Sequence, residues 1–115
     1  MIVYLKVSYM VKMPFQPLTC FDILNFQQRF EYIDDVRQYC NAPVIIIPTL
    51  HPDFSLLFGS IKIIITGSGS MLSHLVILSR EQHISVLLAP DIIKKQIVHS
   101  GFVIIKDDVI TITRN

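Results

Sequence analysis

Charge is scarce in this chain. Only 17% of its 115 residues are Asp, Glu, Lys or Arg, and the formal net charge is +1. Between Tyr39 and Ser79 the only formally charged residues are Asp53 and Lys62. That middle section is therefore either the buried heart of the fold or partly covered by another surface. A balance this close to neutral gives no electrostatic footprint for nucleic acid, and Lys94-Lys95 and Arg114 are too isolated to create one. Cysteine is scarce as well. Cys20 and Cys40 form no CxxC and join no Cys/His cluster, which favours reduced, partly buried side chains in a cytoplasmic protein. No uninterrupted apolar run approaches the roughly 18 residues of a membrane helix. Lys6 and Lys12 interrupt the N-terminal apolar stretch, and no small-residue cleavage pattern follows.

Further absences narrow the chemistry. There is no Lys-bearing phosphate loop of the G-x-x-x-x-G-K-[ST] type and no acidic cluster suited to a magnesium nucleotide. No HxH or HxxxH pair argues for zinc. Adjacent Ser73 and His74, without a nucleophile elbow or an acidic orienter, do not make a hydrolase.

What is present is core-forming material. Hydrophobic residues make up 51% of the chain, enough for one folded domain of this length. Residues 1–11 partly alternate and read as a strand, and residues 13–17, with two prolines, read as a stiff connection. Thr19 is placed to cap a helix with Asp22 in its first turn. Phe26, Phe30, Ile33 and Val36 fall at helical spacing, predicting a helix over residues 22–39 with Gln27, Gln28, Glu31, Asp34 and Asp35 on its wet side. Residues 44–47 and 61–66 read as buried strands, with a short helical or irregular segment at 54–58 between them. A helix over 73–82, a central strand over 84–88, a capped segment from Pro90-Asp91 and a hairpin turning at Asp107-Asp108 complete the chain.

One segment stands out: Thr66-Gly67-Ser68-Gly69-Ser70-Met71-Leu72-Ser73-His74. A small-residue loop follows an apolar strand and ends in a Ser-His pair that opens a helix. An imidazole is thereby placed where backbone N–H groups converge, a setting for a group that carries or meets an anion. His74 is the functional candidate. Ser73 has two candidate roles, as helix cap or as phosphate contact.

The segment resembles the phosphohistidine, or swivelling, domain of phosphoenolpyruvate-utilising enzymes such as pyruvate phosphate dikinase and phosphoenolpyruvate synthase. In that pattern a strand-end threonine is followed by one variable residue, Glu-Gly-Gly, two further residues, Ser-His and an apolar helix closing in Ala-Arg-Glu. Thr66, Gly69, Ser73-His74, Ile77 and Arg80-Glu81 match in register, and Pro52-Asp53-Phe54 resembles the family's upstream Pro-Asp-aromatic turn. Ser68 stands in place of the glutamate, Ser70 of the second glycine, and Leu72 of a frequent threonine. His83 and Ser85 stand at the usual glycine and proline, and Leu50 takes the place of a threonine, with Thr49 one position early.

The resemblance implies an α/β fold of the swivelling β/β/α type, with mixed sheet layers and a helix after the histidine loop. Residues 42–113 match the family, and 1–41 form a divergent N-terminal strand and helix within a single domain. It further implies a mobile phosphoryl carrier working through a phosphohistidine, with Nε2 of His74 attacking phosphorus and the other ring nitrogen held by a hydrogen bond. Loop amides from Gly69, Ser70, Met71, Leu72 and Ser73 would bind phosphoryl oxygens. Arg80, six residues on and about 9 Å up the helix, is expected to face a partner, with His51 and Thr49 as further partner-facing candidates. No cofactor is expected on this domain; Mg2+ and nucleotide or phosphoenolpyruvate belong to a nucleotide-binding or phosphoenolpyruvate-binding partner. Homo-oligomerisation is open. The alternative is a noncatalytic interaction or assembly module that keeps the scaffold, docking through Phe26 and Phe30. The carrier reading requires the His74 ring to face solvent, rather than pack inward with Leu72 plugging the loop.

Overall fold

A computed structural model describes residues 9–21 and 27–114. Eight strands form one mixed sheet: β1 (Met10–Pro14), β2 (Gln16–Thr19), β3 (Gln27–Tyr32), β4 (Val44–Ile47), β5 (Ile63–Thr66), β6 (Ser85–Leu88), β7 (Ser100–Lys106) and β8 (Val109–Arg114). Their spatial order is β1-β8-β7-β3-β4-β5-β6-β2. Strands β3 to β6 run parallel to one another. The arm made by β7, β8 and β1 is antiparallel.

The two edge strands are consecutive in sequence, separated only by Phe15. Pro14 pairs with Val109 at one margin and Gln16 with Leu88 at the other. A sheet whose opposite margins are joined by one residue has to curl until they meet, giving a half-barrel.

That curl explains the apolar runs of the centre. In β4, Val44 and Ile46 point into a core shared with Met13, Val103, Ile105, Ile110 and Ile112 of the antiparallel arm. Ile45 and Ile47 point to the opposite face, where they meet Phe54, Leu75 and Val76. Strand β5 divides in the same way, with Ile63 and Ile65 on one side and Ile64 on the other. Parallel strands covered on both faces carry continuous aliphatic runs instead of alternation, and each fully buried side chain contributes about 1.5–3 kcal/mol.

Two helices and a 3-10 segment cover the sheet. Helix α1 (His74–Glu81) joins β5 to β6 and packs against the 3-10 helix Pro52–Leu57. Its inward residues are Leu75, Val76 and Ser79; the Ser79 hydroxyl donates to the Leu75 carbonyl at 2.7 Å. Helix α2 (Asp91–Lys94) is a single turn, and its Ile92 joins the inner core. The terminal hairpin turns at Asp107-Asp108 as expected, both residues lying at positive φ (51° and 63°), the geometry that matches strand twist in a two-residue turn.

The N-terminal expectations hold only in part where they can be compared. Met10 and Val11 are strand as expected, in β1, which ends three residues further on at Pro14; residues 1–8 lie outside the described residues. Residues 13–17 are not a connection: Pro14 closes β1 and Pro17 lies inside β2. Both are edge strands, where a missing N–H is tolerated. Of the helix over 22–39, residues 22–26 lie outside the described residues, so nothing tests docking through Phe26. The remainder is strand β3 and a 3-10 turn (Val36–Gln38). Phe30 is buried in the inner core and Ile33 in the outer one.

Glu31, assigned to a wet face, is buried. Its carboxylate accepts from the amides of Cys40, Asn41 and Ala42 at 2.8, 3.0 and 3.2 Å. Asp35 caps the 3-10 turn, and Gln38 returns a bond to the backbone, a reciprocal box that ends any longer helix. Thr19 is no helix cap either. It is a buried residue of β2 whose hydroxyl donates to the Ile84 carbonyl at 2.7 Å and accepts from the Val86 amide at 2.9 Å. Among the described residues no helix is long and apolar enough to cross a membrane.

Candidate functional site

The loop between β5 and α1 emerges at the carboxyl ends of the parallel strands, where open α/β sheets place their ligands. Its folding starts at Thr66. This buried threonine donates its hydroxyl proton to the Ser68 carbonyl at 2.8 Å and accepts from the Ser68 amide at 3.3 Å. The Ser68 hydroxyl then donates to the Pro48 carbonyl at 3.4 Å, tying the loop to the end of β4. Gly67 lies under Ile93 of α2; a Cβ there would sit 2.6 Å from Ile93 Cγ1 and 3.0 Å from the Pro48 oxygen. Gly69 has φ +138°, and a Cβ would collide with the Leu50 side chain. Glycine is needed there on both counts.

The serines then organise the turn into the helix. The Ser70 amide donates to Ser73 Oγ at 3.0 Å, and the Leu72 amide donates to Ser70 Oγ at 3.2 Å. The Ser73 amide donates to the Ser70 carbonyl at 3.0 Å. Ser73 is the N-cap residue by position, but its side chain makes no capping bond to the helix; it reaches back into the loop. The expected cap role is corrected accordingly. Of the amides expected to line an anion cradle, those of Ser70, Leu72 and Ser73 have acceptors within the protein. Among the described residues, the amides of Gly69, Met71, His74 and Leu75 have none.

His74 is the first residue of α1, and its side chain is exposed. Among the described residues its ring makes no hydrogen bond, so the bond expected to fix its tautomer is not supplied by them. Leu72 does not plug the loop: it is 87% exposed, and Met71 is 55% exposed. Arg80 lies exposed in the last turn of α1.

His51 belongs to a different surface. It caps the 3-10 helix Pro52–Leu57, its Nδ1 accepting from the Asp53 amide at 3.1 Å, with its ring edge-on to Phe54. It lines a cleft of about 130 Å³ with Asp34, Asp35, Val36, Asp53 and Phe54, which includes neither His74 nor the loop before it. Among the described residues, no group of three His, Cys, Asp or Glu side chains could hold a metal ion. Thr49 is exposed, whereas its neighbour Leu50 packs against the outer core and faces Gly69. Leu50 and Ile93 shape the loop from beneath, a packing role that the sequence did not show. Their only sequence signal was the aliphatic residue at position 50 where a threonine was expected.

The fold and the loop together define a curled mixed sheet that presents a histidine at a strand-to-helix turn. The family described as PEP-utilising enzyme, mobile domain, matches residues 41–113, and the chain belongs to that family. No curated protein matches the chain. The match covers β4 to β8 and both helices, and it supports a phosphoryl-carrier role for the domain.

Proposed function

We propose that His74 carries a phosphoryl group as a phosphohistidine, and that the domain shuttles it between a nucleotide-binding and a phosphoenolpyruvate-binding partner, as domains or separate proteins. The observation that carries this reading is the exposed His74 ring at the start of α1, inside the family-matched segment. In the transfer, the Nε2 lone pair attacks phosphorus and the bond to the donor oxygen breaks. That oxygen leaves with the bonding pair, on enolpyruvate or on a nucleotide. The reverse step hands the phosphoryl group onward. The free amides of Met71, His74 and Leu75 and the start of the helix dipole favour the phosphoryl oxygens. Ser73 contributes a hydroxyl beside them, and Gly69 gives the loop its close turn. Mg2+ and nucleotide chemistry belongs to the partner. Arg80 and the exposed Ile77, both on α1, together with Met71 and Leu72, form the face offered to it. Cys20 and Cys40 are exposed, not partly buried as expected, and as free thiols they suit a cytoplasmic setting.

A second reading rests on the exposed apolar side chains of Leu56, Met71 and Leu72: a binding module that docks without transfer. Intact-mass analysis of protein isolated from its host under alkaline conditions separates the two. A carrier shows an acid-labile, base-resistant phosphoryl adduct that disappears in His74→Ala. A binding module shows none with any cognate partner.

A further inference from the structure

We propose that Ser70 is a positioning residue for the histidine loop, a role that rests on the carrier reading of His74. Three hydrogen bonds meet at this one residue. Its amide donates to Ser73 Oγ, its hydroxyl oxygen accepts from the Leu72 amide, and its carbonyl accepts from the Ser73 amide. Together they sort the amides of the loop. Those of Ser70, Leu72 and Ser73 are turned onto the loop itself, and those of Met71, His74 and Leu75 are left for an anion.

The bond from the Ser70 amide also occupies an acceptor position on the Ser73 hydroxyl. Among the described residues that hydroxyl has no acceptor of its own, so its proton remains to be given to a phosphoryl oxygen. A glycine at position 70 could make the two main-chain bonds but not the one to the Leu72 amide. Serine adds that tie, which fixes the residue two before His74 and holds its exposed side chain outward. The approach to the imidazole stays open and the loop is ordered before phosphoryl arrives.

The test uses the full chain and phosphoramidate, which needs no protein donor. The imidazole nitrogen attacks phosphorus, the P–N bond breaks, and ammonia leaves with the bonding pair. Uptake of the adduct and its loss at neutral pH are followed by intact mass, its site is mapped to His74, and thermal midpoints are recorded. Ser70→Ala and Ser70→Gly are expected to take up label more slowly and lose it faster, by about two- to tenfold, the effect of one hydrogen bond. Ser70→Thr, which keeps the hydroxyl, stays close to the unsubstituted chain, and all midpoints agree.

Identical kinetics in Ser70→Ala and the unsubstituted chain, with His74 labelled in both, overturn the positioning role alone. A slowed Ser70→Ala whose midpoint falls in parallel, and which Ser70→Thr does not restore, overturns it too. No label at His74 of the unsubstituted chain, under conditions that phosphorylate free histidine, overturns the carrier reading beneath it.

Discussion

Thr19 replaces a main-chain partner for Val86: the buried Val86 amide donates to the Thr19 hydroxyl at 2.9 Å, where the pairing of β2 with β6 slips. The same hydroxyl passes its proton to the Ile84 carbonyl. One side chain thus bridges a bulge where edge strand β2 pairs with β6. Thr19→Val keeps the shape and strands both groups, so it should cost about 1–3 kcal/mol. Thr19→Ser should cost clearly less. Urea unfolding of the two variants checks this, and equal midpoints would remove the hydroxyl from the account.

Glu31 ties the Cys40–Ala42 turn to β3. Burial pushes its pKa up, but the three backbone N–H bonds and the Arg29 charge outweigh that, and the net direction is down. A depressed carboxyl stabilises the fold above its ordinary titration range, and that contribution is lost as pH falls through the lowered folded value. Glu31→Gln should therefore flatten the acid limb of a stability–pH curve, with a loss at neutral pH of about 1.5–3 kcal/mol. An unchanged acid limb would contradict the assignment.

His83 sits at φ 59°, just beyond α1, with its ring 5.0 Å from that of Phe21. Left-handed backbone costs a side-chain-bearing residue about 1–2 kcal/mol, which explains why the resemblance expects glycine there. His83→Gly should raise the unfolding free energy by about 1 kcal/mol once the ring contact and glycine's extra chain entropy are subtracted. A lower midpoint would mean that the Phe21 contact dominates.

Gly69 faces Leu50 at φ +138°. Gly69→Ala should cost about 1–3 kcal/mol of strain and slow labelling of His74. Adding Leu50→Ala should recover the steric part but not the backbone part, so the double variant should lie between Gly69→Ala and the unsubstituted chain, judged by thermal midpoint and labelling rate after allowing for the loss caused by Leu50→Ala alone.

The parallel centre was legible because residues 44–47, a four-residue aliphatic run between prolines, are too few for a helix and suit a strand covered on both faces, while the longer 73–82 pattern suits a surface helix. Strand β3 was not. Phe30, Ile33 and Val36 have helical spacing by coincidence: Phe30 lies in β3, which is paired on both sides, and serves the inner core, Ile33 follows its end and serves the outer one, and Val36 opens the 3-10 turn. The buried charge of Glu31 looked like a solvent-facing residue because its three amide partners come from a turn that only the fold brings back. At the site, the position of His74 at the helix start could be read from the motif. The partners of Ser70 and Ser73 could not, because a hydroxyl at a helix start can bond forwards or backwards with little difference in sequence.

Where a phosphoryl group sits on this chain decides the account, and tandem mass mapping of protein kept alkaline throughout locates it. The adduct is expected on the imidazole of residue 74, stable to base and lost on acid treatment. An acid-stable adduct on Ser70 or Ser73, or none after incubation with phosphoramidate and with every cognate donor, would contradict it.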